Sequence, residues 1–345
     1  MPALADPATM ADPPLANSYR ALLRIARTPE PESLAVLERD LPMIDLKRLR
    51  SGDARERKAM ASAASEWGFF QVTGHGVGRE LLEEMRREQT RLFRLPFDTK
   101  EKDGLLNGSY SANPTATSLR QLSWSEAFHV PLASISGEDC DYGKLNSLRG
   151  VMQEVADAMS RVADTVAAAL AENLGHETGA GGSTFPAGCD GTTCFLRLNR
   201  YPACPFAADT PFGLVPHTDS DFLTIVCQDQ VGGLQLIKDS RWVAVKPHAD
   251  ALIVNIGDLF QAWSNNKYKS VEHKVVANAK AERFSVAYFL CPSYDSLVGT
   301  CGEPSPYKAF TFGDYRKKVE DDVKTTGRKI GLPNFLKHTP IHGLK

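Results

Sequence analysis

The chain has 345 residues, 42% of them hydrophobic, and a formal net charge of −2, so it can bury a sizeable core as one large or two modest domains and offers no charge excess for nucleic acid or an anionic membrane surface. No apolar run is long enough to span a membrane, and the first twenty residues lack the basic start and apolar middle of a secretory leader. Seven cysteines (140, 189, 194, 204, 227, 291 and 301) form no paired framework; an odd, dispersed set suits free thiols in a reducing compartment, with the cytoplasm as the expected location and nuclear access open.

Met1 to Asn17 is rich in Ala, Pro and Asp and reads as a flexible tail, the first part of a lead-in over 1–40. Residues 41–46 and 68–73 read as short strands around a helix from Glu56 to Glu66, where Met60, Ala64 and Trp67 recur at helical spacing. A second helix runs from about Arg79 to Leu95, with Leu82, Met85 and Leu92 on one stripe and Pro96 as its stop. These elements make up an N-terminal region over 41–140. Val151 to Leu174 is the clearest helix: Met152, Val155, Met159, Val162, Val166 and Leu170 mark a buried face, and Gly175 ends it. With the Gly-rich loop at 176–191 it forms a support segment over 141–191. From Cys194 to Leu290 short strand patterns follow at close intervals, which predicts a sandwich or barrel as the catalytic core over 192–295. A last helix, about Asp314 to Thr325 with Gly327 beyond it, lies in a C-terminal segment over 296–345. The class is α+β.

The chemistry is concentrated in His217-Thr-Asp219, His273 and Arg283-Phe-Ser285. Residues i and i+2 of a strand share a face, so His217 and Asp219 project to one side, as two ligands of one ion must. In Ser-Val-Glu-His-Lys-Val-Val the apolar face holds Val271, His273 and Val275, which turns the imidazole inward. Two histidines and a carboxylate are the facial ligand set of non-haem Fe(II), with three positions left open. Arg283, Ser285, Ala287 and Phe289 share one face of the next strand. A guanidinium on a buried face wants an anion, and its fork fits a carboxylate. Each piece alone has a plainer reading: a chance triplet, a core histidine, a structural ion pair. Their order and spacing make one coherent site.

The chain resembles the plant 2-oxoglutarate- and Fe(II)-dependent dioxygenases. The likeness runs from about Leu41 to Phe335. It rests on Leu-Pro-Met-Ile-Asp-Leu (41–46), Glu-Trp-Gly-Phe-Phe-Gln-Val-Thr-Gly-His-Gly-Val (66–77), Asn199-Arg-Tyr201-Pro-Ala-Cys204, Gly-Gly-Leu-Gln (232–235) and Val-Asn-Ile-Gly-Asp (254–258). The resemblance implies a distorted double-stranded β-helix, or jelly roll, flanked by helices. It implies iron held by His217, Asp219 and His273, and 2-oxoglutarate held by Arg283 and Ser285 with Tyr201 and Asn199 assisting. O2 is the oxidant and ascorbate the reductant. Oxidative decarboxylation of 2-oxoglutarate to succinate and CO2 then drives hydroxylation of an unactivated carbon. No general base is needed.

Within that family, residues 113–120, 122–129 and 298–307 resemble gibberellin 2-oxidases, most of all those acting on twenty-carbon gibberellins. The implied substrate is a diterpenoid hormone, inactivated by hydroxylation at carbon 2. Tyr110-Ser-Ala stands where that group has a Tyr-Arg-Trp-Gly-like stretch. This departure leaves open the same chemistry at carbon 20 or 3, or on a flavonoid; a binding protein with a residual metal site is a third reading. Phe289 matches a substrate-contacting aromatic of the family. Trp124 and Phe128 are four apart, share a face if helical, and either line an apolar cavity or fill the core. A gibberellin carries a carboxylate, and Arg197, Arg120 and Arg200 are the candidates to meet it.

Overall fold

The computed structural model describes residues 15–25, 36–102, 108–110, 121–137, 142–176, 185–186, 189, 191, 193–206 and 212–337. The chain opens with α1 (Leu15–Ile25), β1 (Leu37–Arg39), β2 (Met43–Asp45), α2 (Leu46–Arg50), α3 (Ala54–Glu66), β3 (Phe69–Thr73), α4 (Arg79–Phe93) and α5 (Phe97–Lys102). It continues with β4 (Gly108–Tyr110), β5 (Glu126–Pro131), α6 (Ala133–Ser136) and α7 (Asn146–Asn173). The strand-rich part holds β6 (Phe195–Tyr201), β7 (Phe212–His217), β8 (Leu223–Gln228), β9 (Leu234–Lys238), β10 (Arg241–Val245), β11 (Leu252–Ile256), α8 (Asp258–Trp263), β12 (His273–Val276) and β13 (Arg283–Leu290). α9 (Phe312–Thr326) closes the fold.

The strands form two mixed sheets. The larger has the order β2-β3-β11-β8-β13-β6-β5-β4 and the smaller β1-β10-β9-β12-β7. Consecutive strands such as β7 and β8 lie in opposite sheets, the crossing pattern of a jelly roll. α7 covers the outer face of the larger sheet. Its Met152, Val155, Met159, Val162, Val166 and Leu170 are all fully buried, in one apolar cluster with Leu196, Leu198, Ile225 and Val286 of the sheet. The 3.6-residue stripe read from the sequence is therefore packing. The inner faces of the two sheets enclose the cavity described below.

Helix ends follow local chemistry. Asp53 caps α3 by accepting from the backbone N–H groups of Arg55 and Glu56. Thr311 and Asp314 form a reciprocal capping box at the start of α9, and Gly327 ends it in the left-handed conformation at φ 71°.

The tail expected over Met1 to Asn17 needs correction where it is described. Leu15 and Tyr19 are four apart, share a face of α1, and bury that face against Trp124, Cys204 and Phe206. Residues 1–14 lie outside the described residues, as do Cys140, Arg120 and the 113–120 stretch. So does 177–184 of the Gly-rich loop. Among the described residues no helix is long and apolar enough to cross a membrane.

Candidate active site

Two strands and one loop assemble the centre. His273 on β12 is the direct cross-strand partner of His217 on β7. Asp219 follows two residues after His217, where the chain leaves the smaller sheet for the larger. The loop is pinned from below. Asp258 donates its backbone N–H to the Asp219 carbonyl, and Gly257 donates to the Phe222 carbonyl. A side chain at Gly257 would bring its Cβ within 2.1 Å of the Asp221 carbonyl oxygen, so only glycine allows α8 to start there.

One donor atom from each of His217, Asp219 and His273 lies within 4.8 Å of the others. Asp219 Oδ1 is 3.5 Å from His217 Nε2 and 3.8 Å from His273 Nε2. The other ring nitrogens face backbone carbonyls: His217 Nδ1 is 2.8 Å from Val215 O and His273 Nδ1 3.1 Å from Val271 O. A carbonyl only accepts, so each Nδ1 carries the proton and each Nε2 presents a lone pair to the centre. Asp219 Oδ2 is occupied by the Thr224 hydroxyl at 2.6 Å and Asn255 Nδ2 at 2.7 Å, which leaves Oδ1 to face the two imidazoles.

The electrostatics keep these forms. Burial, then the neighbouring His217, pushes His273 down to about 4, so it is neutral near pH 7. Burial works against the Asp219 charge, yet His273, His217 and the Thr224 hydroxyl outweigh it and hold the carboxyl well below the usual carboxylate range. Two imidazoles that turn Nε2 to the centre and one carboxylate are the donor set for a divalent metal of the non-haem iron type. The residues present fit that ion.

The rest of the cavity is written on β13 and β6 as a ladder of cross-strand pairs. Arg283 faces Tyr201, Ser285 faces Asn199, Ala287 faces Arg197 and Phe289 faces Phe195. All eight line a cavity of about 380 Å³ that also holds His217, Asp219 and His273. Arg283 is 3% exposed and has no carboxylate within 4.0 Å among the described residues. It donates to Gln228 Oε1 at 2.7 Å and to Ser285 Oγ at 3.5 Å, and lies over the Tyr201 ring. Its Nε has no partner. A buried guanidinium with an open donor is an anion site, and a dicarboxylate with one end near the histidines would satisfy it. Asn199 Nδ2 donates to Ser285 Oγ at 3.4 Å, tying the two residues together.

Phe289 stacks face to face on Phe195 at 4.3 Å between centroids and forms an aromatic wall of the cavity. Trp124 and Phe128 do not line it. Neither is helical: Phe128 lies on β5 and Trp124 precedes that strand. Phe128 points into the main core against Phe93, and the Trp124 indole N–H donates to Pro202 O beside Tyr19 and Phe206. His129, the next residue on β5, takes the opposite face and reaches the cavity. Arg200 also points outward, into ion pairs with Glu126 and Glu282. Of the three arginine candidates Arg197 lines the cavity, and Arg120 lies outside the described residues.

Several residues of the site carry no motif. Thr224 and Val226 line the cavity from β8, which pairs with β13, and Gln228 at the end of the same strand accepts from Arg283. Arg316 and Lys329 come from α9 and the segment after it. Lys329 donates to the Thr218 carbonyl and to Ser220 Oγ, both at 2.8 Å, and pairs with Asp258 at 2.8 Å. It thus ties the residues on each side of Asp219 to the C-terminal segment.

Comparison with known proteins agrees. Residues 192–292 match the model of the 2OG-Fe(II) oxygenase superfamily, and 41–141 match that of the non-haem dioxygenase N-terminal region, described from morphine synthesis. The chain is 75% identical to gibberellin 2-beta-dioxygenase 6 of Oryza sativa subsp. japonica, over 99% of this chain and 100% of that protein. This protein belongs to the 2-oxoglutarate- and Fe(II)-dependent oxygenases. It is 49% identical to gibberellin 2-beta-dioxygenase 8 of Arabidopsis thaliana, over 95% of this chain and 99% of the relative. The solved structure of JOX2 in complex with 2OG, Fe and JA superposes with a TM-score of 0.76 at 29% identity, covering 97% and 98% of the two chains. The dioxygenase therefore uses Fe(II) and 2-oxoglutarate on a jelly-roll core.

Proposed function

We propose that this dioxygenase hydroxylates a gibberellin at carbon 2 and so inactivates the hormone or its twenty-carbon precursors. The observation that carries the chemistry is the conjunction of a His-Asp-His donor set and a buried, anion-seeking Arg283 in one cavity. Support for the substrate is the 75% identity over nearly the whole chain to a gibberellin 2-beta-dioxygenase.

In this reading His217 Nε2, Asp219 Oδ1 and His273 Nε2 hold Fe(II), and Arg283 and Ser285 hold the distal carboxylate of 2-oxoglutarate, with Tyr201 and Asn199 supporting them. Such a centre couples oxidative decarboxylation of 2-oxoglutarate to insertion of one oxygen atom of O2 into a substrate C–H bond, the other ending in succinate. The protein's part is positional. Val215 O and Val271 O hold the Nδ1 protons and so fix both rings. Thr224 and Asn255 fix the carboxylate. Leu214, Val226, Leu234 and Val275 present apolar surface to the cavity and keep water from it. The substrate is a small diterpenoid acid, not a nucleic acid, and ascorbate serves as reductant. We place the enzyme in the cytoplasm on its dispersed, odd set of cysteines; a fluorescent fusion confined to an organelle would contradict that.

The test is incubation with a twenty-carbon gibberellin, 2-oxoglutarate, Fe(II) and ascorbate, followed by mass spectrometry. The expected product carries one added oxygen at carbon 2, with succinate formed in step. Absence of product from every gibberellin tried, with the protein folded and iron-loaded, sinks the substrate assignment.

A further inference from the structure

Arg283 is loosely held for a residue that must meet a carboxylate in register. Among the described residues its one short hydrogen bond goes to Gln228 Oε1 at 2.7 Å; the Ser285 contact is long at 3.5 Å, and Nε has no partner. A guanidinium pinned at one nitrogen can still swing, and a flat ring against its face limits that swing. That ring is Tyr201, the direct cross-strand partner of Arg283, with the guanidinium carbon 4.9 Å from its centroid. The direction of the anion site therefore depends on where the Tyr201 ring lies.

The seat of that ring is on the other sheet. A Cβ at Gly213, on β7, would stand 2.7 Å from Tyr201 Cδ1 and 3.1 Å from Val275 Cγ1, where ordinary contact begins at 3.4 Å. The ring thus occupies the place of a side chain that is not there. The backbone of Gly213 lies outside the left-handed region, so conformation does not require glycine; the room for the ring does. Strand pairing makes the notch. Phe212 pairs with Val276 and Leu214 with Val275, so Gly213 is the extra residue of a bulge, with no partner opposite it on β12. Neither wall yields easily. Phe212 O accepts the Trp124 backbone N–H at 2.6 Å, and the Val215 N–H donates to Ser123 Oγ at 3.2 Å, which holds β7 on both sides of Gly213. The Trp124 indole donates to Pro202 O at 3.1 Å, directly behind Tyr201. Ser123 and Trp124 thus fix the glycine's strand and the tyrosine's together. An added methyl group would meet the ring at its edge, at Cδ1 and Cε1. The ring would have to slide or tilt, and either motion moves the face on which Arg283 rests.

We propose that Gly213 is a positioning residue for the co-substrate: its absent side chain seats the Tyr201 ring, and the ring aims the Arg283 guanidinium at the distal carboxylate of a 2-oxo diacid. The inference rests on the reading above that Arg283 takes that carboxylate. Gly213 stands four residues before His217, yet its effect falls on the far end of the co-substrate and not on the metal. Productive geometry is held to about 0.5 Å, and a misplacement of about 1 Å can cost on the order of a hundredfold. A single methyl group at position 213 is therefore enough to separate affinity for the diacid from affinity for the metal.

The experiment is calorimetric titration of 2-oxoglutarate into the Co(II)-loaded enzyme, beside a titration of Co(II) itself. The second ligand is 2-oxopentanoate, which has a methyl group in place of the distal carboxylate. The proteins are the unaltered enzyme, Gly213→Ala, Tyr201→Ala, and the double variant, in which the shortened residue 201 leaves room for the methyl group. Gly213→Ala is expected to bind 2-oxoglutarate at least about tenfold more weakly, with Co(II) affinity and 2-oxopentanoate binding unchanged. Tyr201→Ala should weaken 2-oxoglutarate binding as well, and in its background Gly213→Ala should cost nothing further. Should Gly213→Ala fail to fold, the double variant is expected to recover the fold, and its failure to do so overturns the proposal. Additive losses overturn it too, as does a Gly213→Ala enzyme that loses Co(II) affinity, since the change would then act through β7 on His217. Equal binding of the two acids by the unaltered enzyme removes the distal-carboxylate reading itself. A preference for 2-oxoglutarate that Gly213→Ala leaves intact refutes the seat alone.

Discussion

The two parts of the cavity solve different problems. On the side of the His217, Asp219 and His273 cluster each side chain is tied at its spare atom: a carbonyl behind each imidazole, a hydroxyl and an amide behind the carboxylate. On the side of β5, β6 and α9 the wall is a pair of stacked phenyl rings and two guanidiniums with few tethers. The first part must hold donor atoms within tenths of an ångström, and these hydrogen bonds behind them do that. The second must match the outline and charge of a guest. On the proposed function, chemistry belongs to the first part and selectivity to the second, so one should be breakable without the other.

The largest effect should come from the first part. Asp219→Ala removes the only carboxylate of the donor set, and 2-oxoglutarate turnover should fall to background while the far-ultraviolet circular dichroism spectrum stays unchanged. Retained turnover would take Asp219 out of the centre. Next, Lys329→Met cuts the ties to Thr218, Ser220 and Asp258 without touching a ligand. Losses of this indirect kind run to about 10–100-fold in metal affinity. Titration with Co(II), followed by its absorption bands, measures this directly, and Lys329→Arg should restore part of it. Unchanged Co(II) affinity in Lys329→Met would reduce the residue to a structural ion pair. Arg283→Ala should raise the 2-oxoglutarate requirement at least about tenfold, since charge-assisted bonds contribute roughly 1.5–3 kcal/mol each. An unchanged requirement would move the co-substrate elsewhere.

The same contrast explains what was legible in the sequence. Local rules carry much of the first part: alternation turned His273 inward and put Arg283, Ser285 and Phe289 on one face, whereas His217 and Asp219 converge by another route than strand alternation, because β7 ends at His217 and Asp219 lies in the loop that follows. The helix stripes of α4 and α7 were equally plain, because one periodic face meets one core. The second part depends on which strand lies beside which. Nothing in the spacing of Trp124 and Phe128 said that their segment was a strand, or that its cavity-facing residue was His129. Arg316 and Lys329 reach the site only because the C-terminal segment folds back over the 218–220 loop. A weak signal existed for Arg316: with Phe312 one turn before it, an aromatic and a cation share a helix face, a pairing that occurs on many surfaces. Leu15 and Tyr19 hid in a Pro- and Ala-rich stretch for a related reason, since their partners Trp124 and Phe206 are distant in sequence.

The smallest effect sharpens the second part. His129 is held neutral by burial, Arg197 and Arg316, at about 4 against an ordinary 6.5. A histidine lowered by folding leaves the unfolded chain binding more protons between those two values. Stability should then decline as pH falls from about 6.5 towards 4, with the full contribution present only above 6.5. His129→Gln keeps a polar side chain of similar reach and removes the titration. Its melting temperature should fall less over that window than that of the unaltered protein, by an amount worth on the order of 1–2 kcal/mol because the imidazole keeps part of its hydration.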